Sequence, residues 1–223
     1  MFKPISLAIS QLDDPAFRGV VLRSAGWALA AFAALHFIAA WLVANVLQWH
    51  GVLAWAGYLA GGVLVSVLTL WLFLPIATAI GAMYVERIAN AVEARFYPWL
   101  QPASGASVLA QSLDGVAVGL RVLVLNIIGL ALTILLPGIG FIPGWAIGAY
   151  AIGRGLFVAV AMRRVPRPEA ERLYRANRGP ILLQGAVLAL GTYVPVANLL
   201  IPVIATAAMV HAFDATISRR YSA

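Results

Sequence analysis

Cysteine is absent from the 223 residues, which removes disulfides, thiolate metal sites and cysteine nucleophiles together. Charge is scarce as well. Asp, Glu, Lys and Arg make up 10% of the chain against 63% hydrophobic residues, and the mean hydropathy is +0.93. A soluble domain carries about a quarter charged residues, so this composition cannot cover a water-facing surface, and the chain reads as an integral membrane protein. Residues 1–23 contain Asp13, Asp14, Arg18 and Arg23 and lack the apolar run that a cleavable signal peptide needs. There is no Gly-rich nucleotide-binding loop, which argues against direct ATP drive, and no cofactor is expected. The net charge of +7 raises nucleic acid as a partner. The basic residues flank apolar blocks, however, which is the positive-inside pattern, and no nucleic-acid partner is expected.

The few charges that exist divide the sequence. None lies between Arg23 and Glu86, between Arg121 and Arg154, or between Arg178 and Asp214. Each uncharged block is broken near its middle: the first at Gln48–Gly51, the second at Pro137-Gly138-Ile139-Gly140 and Pro143-Gly144, the third at Pro195-Val196-Ala197-Asn198. If each block enters the membrane and returns, all fifteen Lys and Arg residues and both termini face one side, the cytoplasm.

Block length separates the first from the other two. Its 62 residues, 24–85, suffice for two helices of about 20 residues each. The second of these is expected to run on through Glu86–Arg95 and end at Pro98, with a kink at Pro75. The second block has 32 residues, 122–153, and the third 35, 179–213. Without their turns, each arm has about 10 to 17 residues, which reaches only part of a core about 30 Å thick. The predicted fold is therefore an all-α integral membrane protein with two long transmembrane helices plus two re-entrant helical hairpins. The parts are an N-terminal interfacial helix over 1–23, a long helix pair over 24–100, hairpin one over 120–162, a basic linker over 163–178 and hairpin two over 179–213. Arg154 is the weak point of the count, because a paired or snorkelling Arg154 lets its helix run on to Met162.

The short blocks resemble each other: Gly129-x7-Pro137-x5-Pro143 in one, Gly185-x9-Pro195-x6-Pro202 in the other. Paired, interrupted apolar segments point to a transport site. Irregular backbone at membrane depth needs protein or a wet cavity around it. Pro137 to Gly144 and Pro195 to Asn198 are therefore candidates for lining a path, Asn198 above all.

Among the polar stretches, Gln11 to Val20 is the most informative. Asp14 before Pro15 reads as a helix cap followed by proline at the first helical position. The free N–H groups of a helix start, with Arg18 a turn further on, could hold an oxyanion. Alternatively Asp14 satisfies those groups itself and repels an anion. Glu86, Arg87 and Glu93 read either as a cytoplasmic vestibule or as a solvated helix face. Asn126, inside an apolar arm, is expected to bond across helices. His36, His50 and His211 lack metal spacing, and no metal site is expected. Trp27, Trp49, Trp55 and Trp99 fall near block ends as interfacial anchors. The strip Arg163–Arg178, with Pro168 able to start a short helix, suits anionic lipid headgroups or an anion-collecting funnel.

Pro15-Ala16-Phe17-Arg18, the Pro137-Gly138-Ile139-Gly140 turn and Pro195-Val196-Ala197-Asn198-Leu199-Leu200-Ile201-Pro202-Val203 occur in the order seen in the CysZ family. This is the sulfate-permease group of the etoposide-induced protein superfamily, and the chain resembles it over nearly its whole length. Glu86, Glu93, Ala94 and Arg95 are similar to the family's acidic stretch. The resemblance implies two long transmembrane helices, two hemi-penetrating hairpins, homo-oligomers, and sulfate uptake across the bacterial inner membrane for cysteine synthesis. It places anion binding at Ala16, Phe17 and Arg18 and suggests a path between the hairpin tips at Pro137, Gly138, Pro195 and Asn198; Arg23 is expected to assist the anion, and Glu86 and Arg87 to line the path. The family's Pro-Gly-Leu-Arg-Arg segment maps onto Pro15 to Gly19, where only the proline and the first arginine match. Ala16 hinders close backbone approach and Gly19 removes one guanidinium. A non-transporting scaffold that binds lipid or a partner through the basic strip is the alternative. An enzyme is disfavoured, since the uncharged blocks hold no acid, Lys or Arg.

Overall fold

The computed structural model describes residues 2–46, 61–63, 65–66, 84–135 and 141–221. The chain divides into two compact units, Gly19–Tyr84 and the combination of Met1–Arg18 with Val85–Ala223. The described residues are helical, and no strand occurs among them.

In the larger unit the elements are α1 (Lys3–Ile9), the start of α2 (Pro15–Val46), α3 (Val85–Phe96), α4 (Val108–Leu135), α5 (Phe141–Met162), α6 (Arg167–Ala176), α7 (Arg178–Gly191) and α8 (Pro195–Tyr221). Helix α5 is α-helical at both ends and widens to a π-turn at Ala151–Leu156. Proline marks several starts. Pro15 opens α2, Pro195 opens α8 and Pro168 lies in the first turn of α6, where its missing N–H costs nothing. Helix α4 is capped by Ser107, whose Oγ accepts the N–H of Ala110 at 3.2 Å. Helix α3 stops at Phe96, two residues before Pro98.

Helix α8 is the core of this unit. Of its apolar stretch Leu200–Ser218, 67% is buried, against 11% for Leu109–Gly129 of α4. Its inward seam is rich in small residues: Ala205, Ala207, Ala208 and Ala212 are all buried, along with Val203 and Met209. In a bilayer, apolar burial does not by itself drive helices together, so small side chains that allow close approach count for more. Helices α1, α3, α7 and the end of α5 close on this seam. Helices α5 and α7 cross at Gly185, where an added Cβ would overlap the Ala149 carbonyl and the Gly153 backbone. The segment 97–107 returns to the end of α5. There Gly105 N–H donates to the Arg163 carbonyl and Ala106 N–H to the Met162 carbonyl, both at 2.7 Å, satisfying acceptors that the helix end leaves open.

The smaller unit holds the rest of α2 and helical residues at 61–63 and 65–66. Large apolar side chains along α2, among them Trp27, Leu29, Phe37 and Trp41, are exposed. His36 stacks on Phe32 with ring centroids 6.4 Å apart, an aromatic contact and not a ligand geometry. Most of the expected second long helix, with its kink at Pro75, and Trp49, Trp55 and His50 lie outside the described residues; the stretch Glu86–Arg95 expected to extend it is helical, as α3.

Three of the four helices of the short blocks are longer than the charge-free lengths suggest, and α7 is of the expected length. Helix α4 has 28 residues and α5 has 22, while α7 has 14 and α8 has 27. Three of these contain stretches long and apolar enough to cross a membrane. The lengthening has a physical cause: α4 runs through Asp114 and Arg121, and α5 runs through Arg154. Asp114 and Arg154 pair with each other, and Arg121 Nη1 donates to the Tyr150 hydroxyl at 2.7 Å. Charges compensated in this way need not end a helix. The turn of the third block also moves. It is Thr192 to Val194, and Pro195 and Asn198 stand in the first turn of α8 instead of at a tip. Pro143, in the first turn of α5, thus corresponds in position to Pro195, and Pro202 lies inside α8.

Candidate functional site

The N-terminal segment folds back on α3. Gln11, fully buried, donates from Nε2 to the Ala91 carbonyl at 3.2 Å and to the Asp14 carboxylate at 3.3 Å. Arg95 of α3 reaches Asp13 at 3.3 Å and Asp14 at 3.9 Å. The negative charge that would repel an anion from this helix start is therefore countered by a guanidinium from another element. Phe17 is 1% exposed, so only its main chain can serve a ligand. The Ala16 side chain lies outside the described residues. Arg18 is exposed and forms no ion pair with a described acid, and exposed Arg23 belongs to the smaller unit.

Helix α3 carries the second polar group. Glu86, Asn90 and Glu93 recur at helical spacing and converge on Arg163, whose side chain is 1% exposed. Its Nε and Nη2 donate to the two Glu86 carboxylate oxygens at 2.8 and 2.9 Å, its Nη1 to Glu93 at 2.6 Å, and its Nη2 also to the Asn90 amide oxygen. Arg164 adds an ion pair with Glu93 at 2.7 Å and a hydrogen bond to the Gln101 carbonyl at 3.1 Å. The hydrogen bond from Arg163 holds the Glu86 carboxyl below its usual range, against the opposing pull of partial burial. Burial opposes the charge of Arg163, but the Glu86 and Glu93 carboxylates outweigh it and its pKa stands above the usual value. An open cleft of ≈ 390 Å³ adjoins this cluster, lined in part by Glu86, Asn90, Glu93, Tyr97, Gln101 and Arg164. The cleft is polar and wettable, but its carboxylates are already engaged by arginine. Arg87, exposed on α3, makes no ion pair with a described acid.

A third group sits where α4, α5 and α6 meet. Arg154, in the π-turn, donates to both oxygens of Asp114 at 3.3 and 3.4 Å and also pairs with Glu171. Arg167 reaches the same Asp114 at 2.9 Å. Arg154 and Asp114 are buried, and partly exposed Glu171 and exposed Arg167 balance their charges from the surface side. Nearby in sequence, Asn126 bonds the Val122 carbonyl of its own helix at 3.0 Å, not another helix as expected.

His211, buried on α8, places Nδ1 2.7 Å from the Tyr97 hydroxyl. Burial, with Asp214 beside it, pushes the Tyr97 phenol well above its usual range. Among the described residues no group of three or more His, Asp or Glu side chains could hold a metal ion.

At the other end of the short helices, the entry to α5 and the exit of α7 meet. The Tyr193 hydroxyl donates to the Phe141 carbonyl at 3.2 Å, and Trp145 Nε1 donates to the Ala186 carbonyl at 2.8 Å. The two interrupted segments are thus neighbours. Pro137 and Gly138 lie outside the described residues, as does the Pro195 side chain, and Asn198 is half-buried. Sequence reasoning missed Arg163, Arg164, Asp114 and Glu171 as partners. The one usable signal was an acid and an arginine inside stretches that otherwise read as helix.

A family model described as "Sulfate transporter CysZ/Etoposide-induced protein 2.4" matches residues 5–202. No curated protein and no solved structure matches the chain.

Proposed function

The chain belongs to the sulfate transporter CysZ/etoposide-induced protein 2.4 family, and we propose that it is a membrane permease or channel for sulfate or a related oxyanion. The family match across residues 5–202 carries this reading. Its site begins at Arg18, an exposed guanidinium at the start of a long helix, with no described acid on it. An oxyanion there meets the positive end of α2 and the main chain of Ala16 and Phe17. Arg95 supports the site by drawing the charge of Asp13 and Asp14 onto itself.

The path then runs from the wet cleft lined by Glu86, with Arg87 next to it in sequence, to the paired ends of the interrupted segments, with Pro195 and Asn198 in the first turn of α8. On this reading the two segments re-enter the membrane, although α4, α5 and α8 are each long and apolar enough to cross it, and the proteins assemble as homo-oligomers in the bacterial inner membrane. Both termini and the charged loops face the cytoplasm, because arginine gathers at the ends of the apolar blocks.

The test is radiolabelled sulfate flux into proteoliposomes. Uptake should exceed that of empty liposomes, and Arg18→Ala should reduce it at least tenfold at low sulfate, with Arg18→Lys intermediate. Uptake equal to empty liposomes would sink the reading.

A further inference from the structure

We propose that Arg172 and Arg175 of α6, with Arg178 at the start of α7, form a binding surface for the headgroups of anionic phospholipids. Most arginines around them are engaged by carboxylates: Arg154 and Arg167 by Asp114, Arg163 and Arg164 by Glu86 and Glu93. These three are left over. Arg175 and Arg178 are exposed and form no ion pair with a described acid, and Arg172, 80% exposed, approaches Glu169 only to 3.8 Å. Helix α6 buries Ala170 and Leu173 and turns Glu171 toward Arg154, so Arg172 and Arg175, three residues apart, share the outward side.

The neighbouring helix identifies the partner. From Gly179 to Val194 the chain contains no charged residue. The exposed Leu183, Val187 and Leu190 of α7 follow one another at helical spacing, while Ile181, Gln184, Gly185 and Leu188 face inward. A wholly apolar outward stripe belongs in hydrocarbon. It begins about 7.5 Å along the helix from Arg178. Cations set immediately before it stand at headgroup depth, where guanidinium groups make paired hydrogen bonds to phosphate. A free phosphate or an acidic soluble protein has no use for the stripe, whereas a phospholipid uses both parts.

Native mass spectrometry of the detergent-purified full chain, offered phosphatidylglycerol and phosphatidylcholine, tests this surface. The wild type should retain phosphatidylglycerol in preference, losing roughly fivefold in affinity for each arginine replaced. Arg172→Gln/Arg175→Gln/Arg178→Gln should abolish the preference with the melting temperature unchanged, and Arg175→Gln/Arg178→Gln gives the same reading should the triple variant fail to fold. Lys3→Gln, an exposed cation on α1, should leave the preference intact. Equal retention of the two lipids, or an unchanged preference in the arginine variants, overturns the proposal. So does displacement of the bound lipid by millimolar inorganic phosphate, which would make the patch a free-anion site.

Discussion

Arg163 grips Glu86 with two parallel hydrogen bonds, Nε to Oε2 at 2.8 Å and Nη2 to Oε1 at 2.9 Å, joining the end of α5 to the first turn of α3. Glu93 and Asn90 complete the ring of acceptors, so a nearly inaccessible guanidinium is held from three sides by one helix. Removing it strands a cluster of acceptors built to receive it. Arg163→Ala should cost on the order of 3 kcal/mol, read as a drop in thermal stability of the purified protein. Arg163→Lys should recover only part, since an ammonium cannot make the forked contact.

The same pair sets an acid limb of stability. The carboxyl of Glu86 is held below the 4.5 of its ordinary state, so its contribution is complete above that value and is lost as pH falls through the lowered one. Glu86→Gln should flatten the decline in melting temperature on acidification. An unchanged acid limb in this variant would show that Glu86 is not its source.

Asp114 and Arg154 should behave as a coupled unit. Either single change, Asp114→Leu or Arg154→Met, leaves a buried charge short of a partner and should cost about 3 kcal/mol. The double variant should be more stable than the sum of the two losses predicts, because both buried charges go together. Additive losses in a thermal-melt cycle would refute the coupling.

Gly185 and Gly115 should respond oppositely to the same methyl group. At Gly185 an added Cβ meets the backbone of α5, and Gly185→Ala should destabilise by about 1–3 kcal/mol. At Gly115 of α4 no neighbour lies within 4 Å, so Gly115→Ala should gain up to about 1 kcal/mol from helix propensity. Melting temperatures of the two variants decide the matter.

Much of the local structure was legible in the residues. Pro15 after Asp14 marked the start of α2, Pro98 the end of α3 and Pro168 the start of α6, because each depends on the backbone of one or two residues. The lengths of α4 and α5 were not legible. A charge looks like a membrane boundary until its partner is known, and the partners of Asp114 lie 40 and 53 residues away at Arg154 and Arg167. The Asp14 carboxylate likewise read as a repeller of anions, and only the approach of Arg95 from α3 changes that electrostatic balance.

The sequence by itself determined that this is a helical membrane protein, where its apolar blocks lie and which family it resembles. Composition and the order of short motifs are one-dimensional properties. Tertiary structure decided which arginines are spent and which are free. Arg154, Arg163 and Arg164 are indistinguishable from Arg175 and Arg178 along the chain, and become different only when α3 and α4 bring their carboxylates to the first group and none to the second. Pairing depends on distance in space, and no spacing along the chain encodes it.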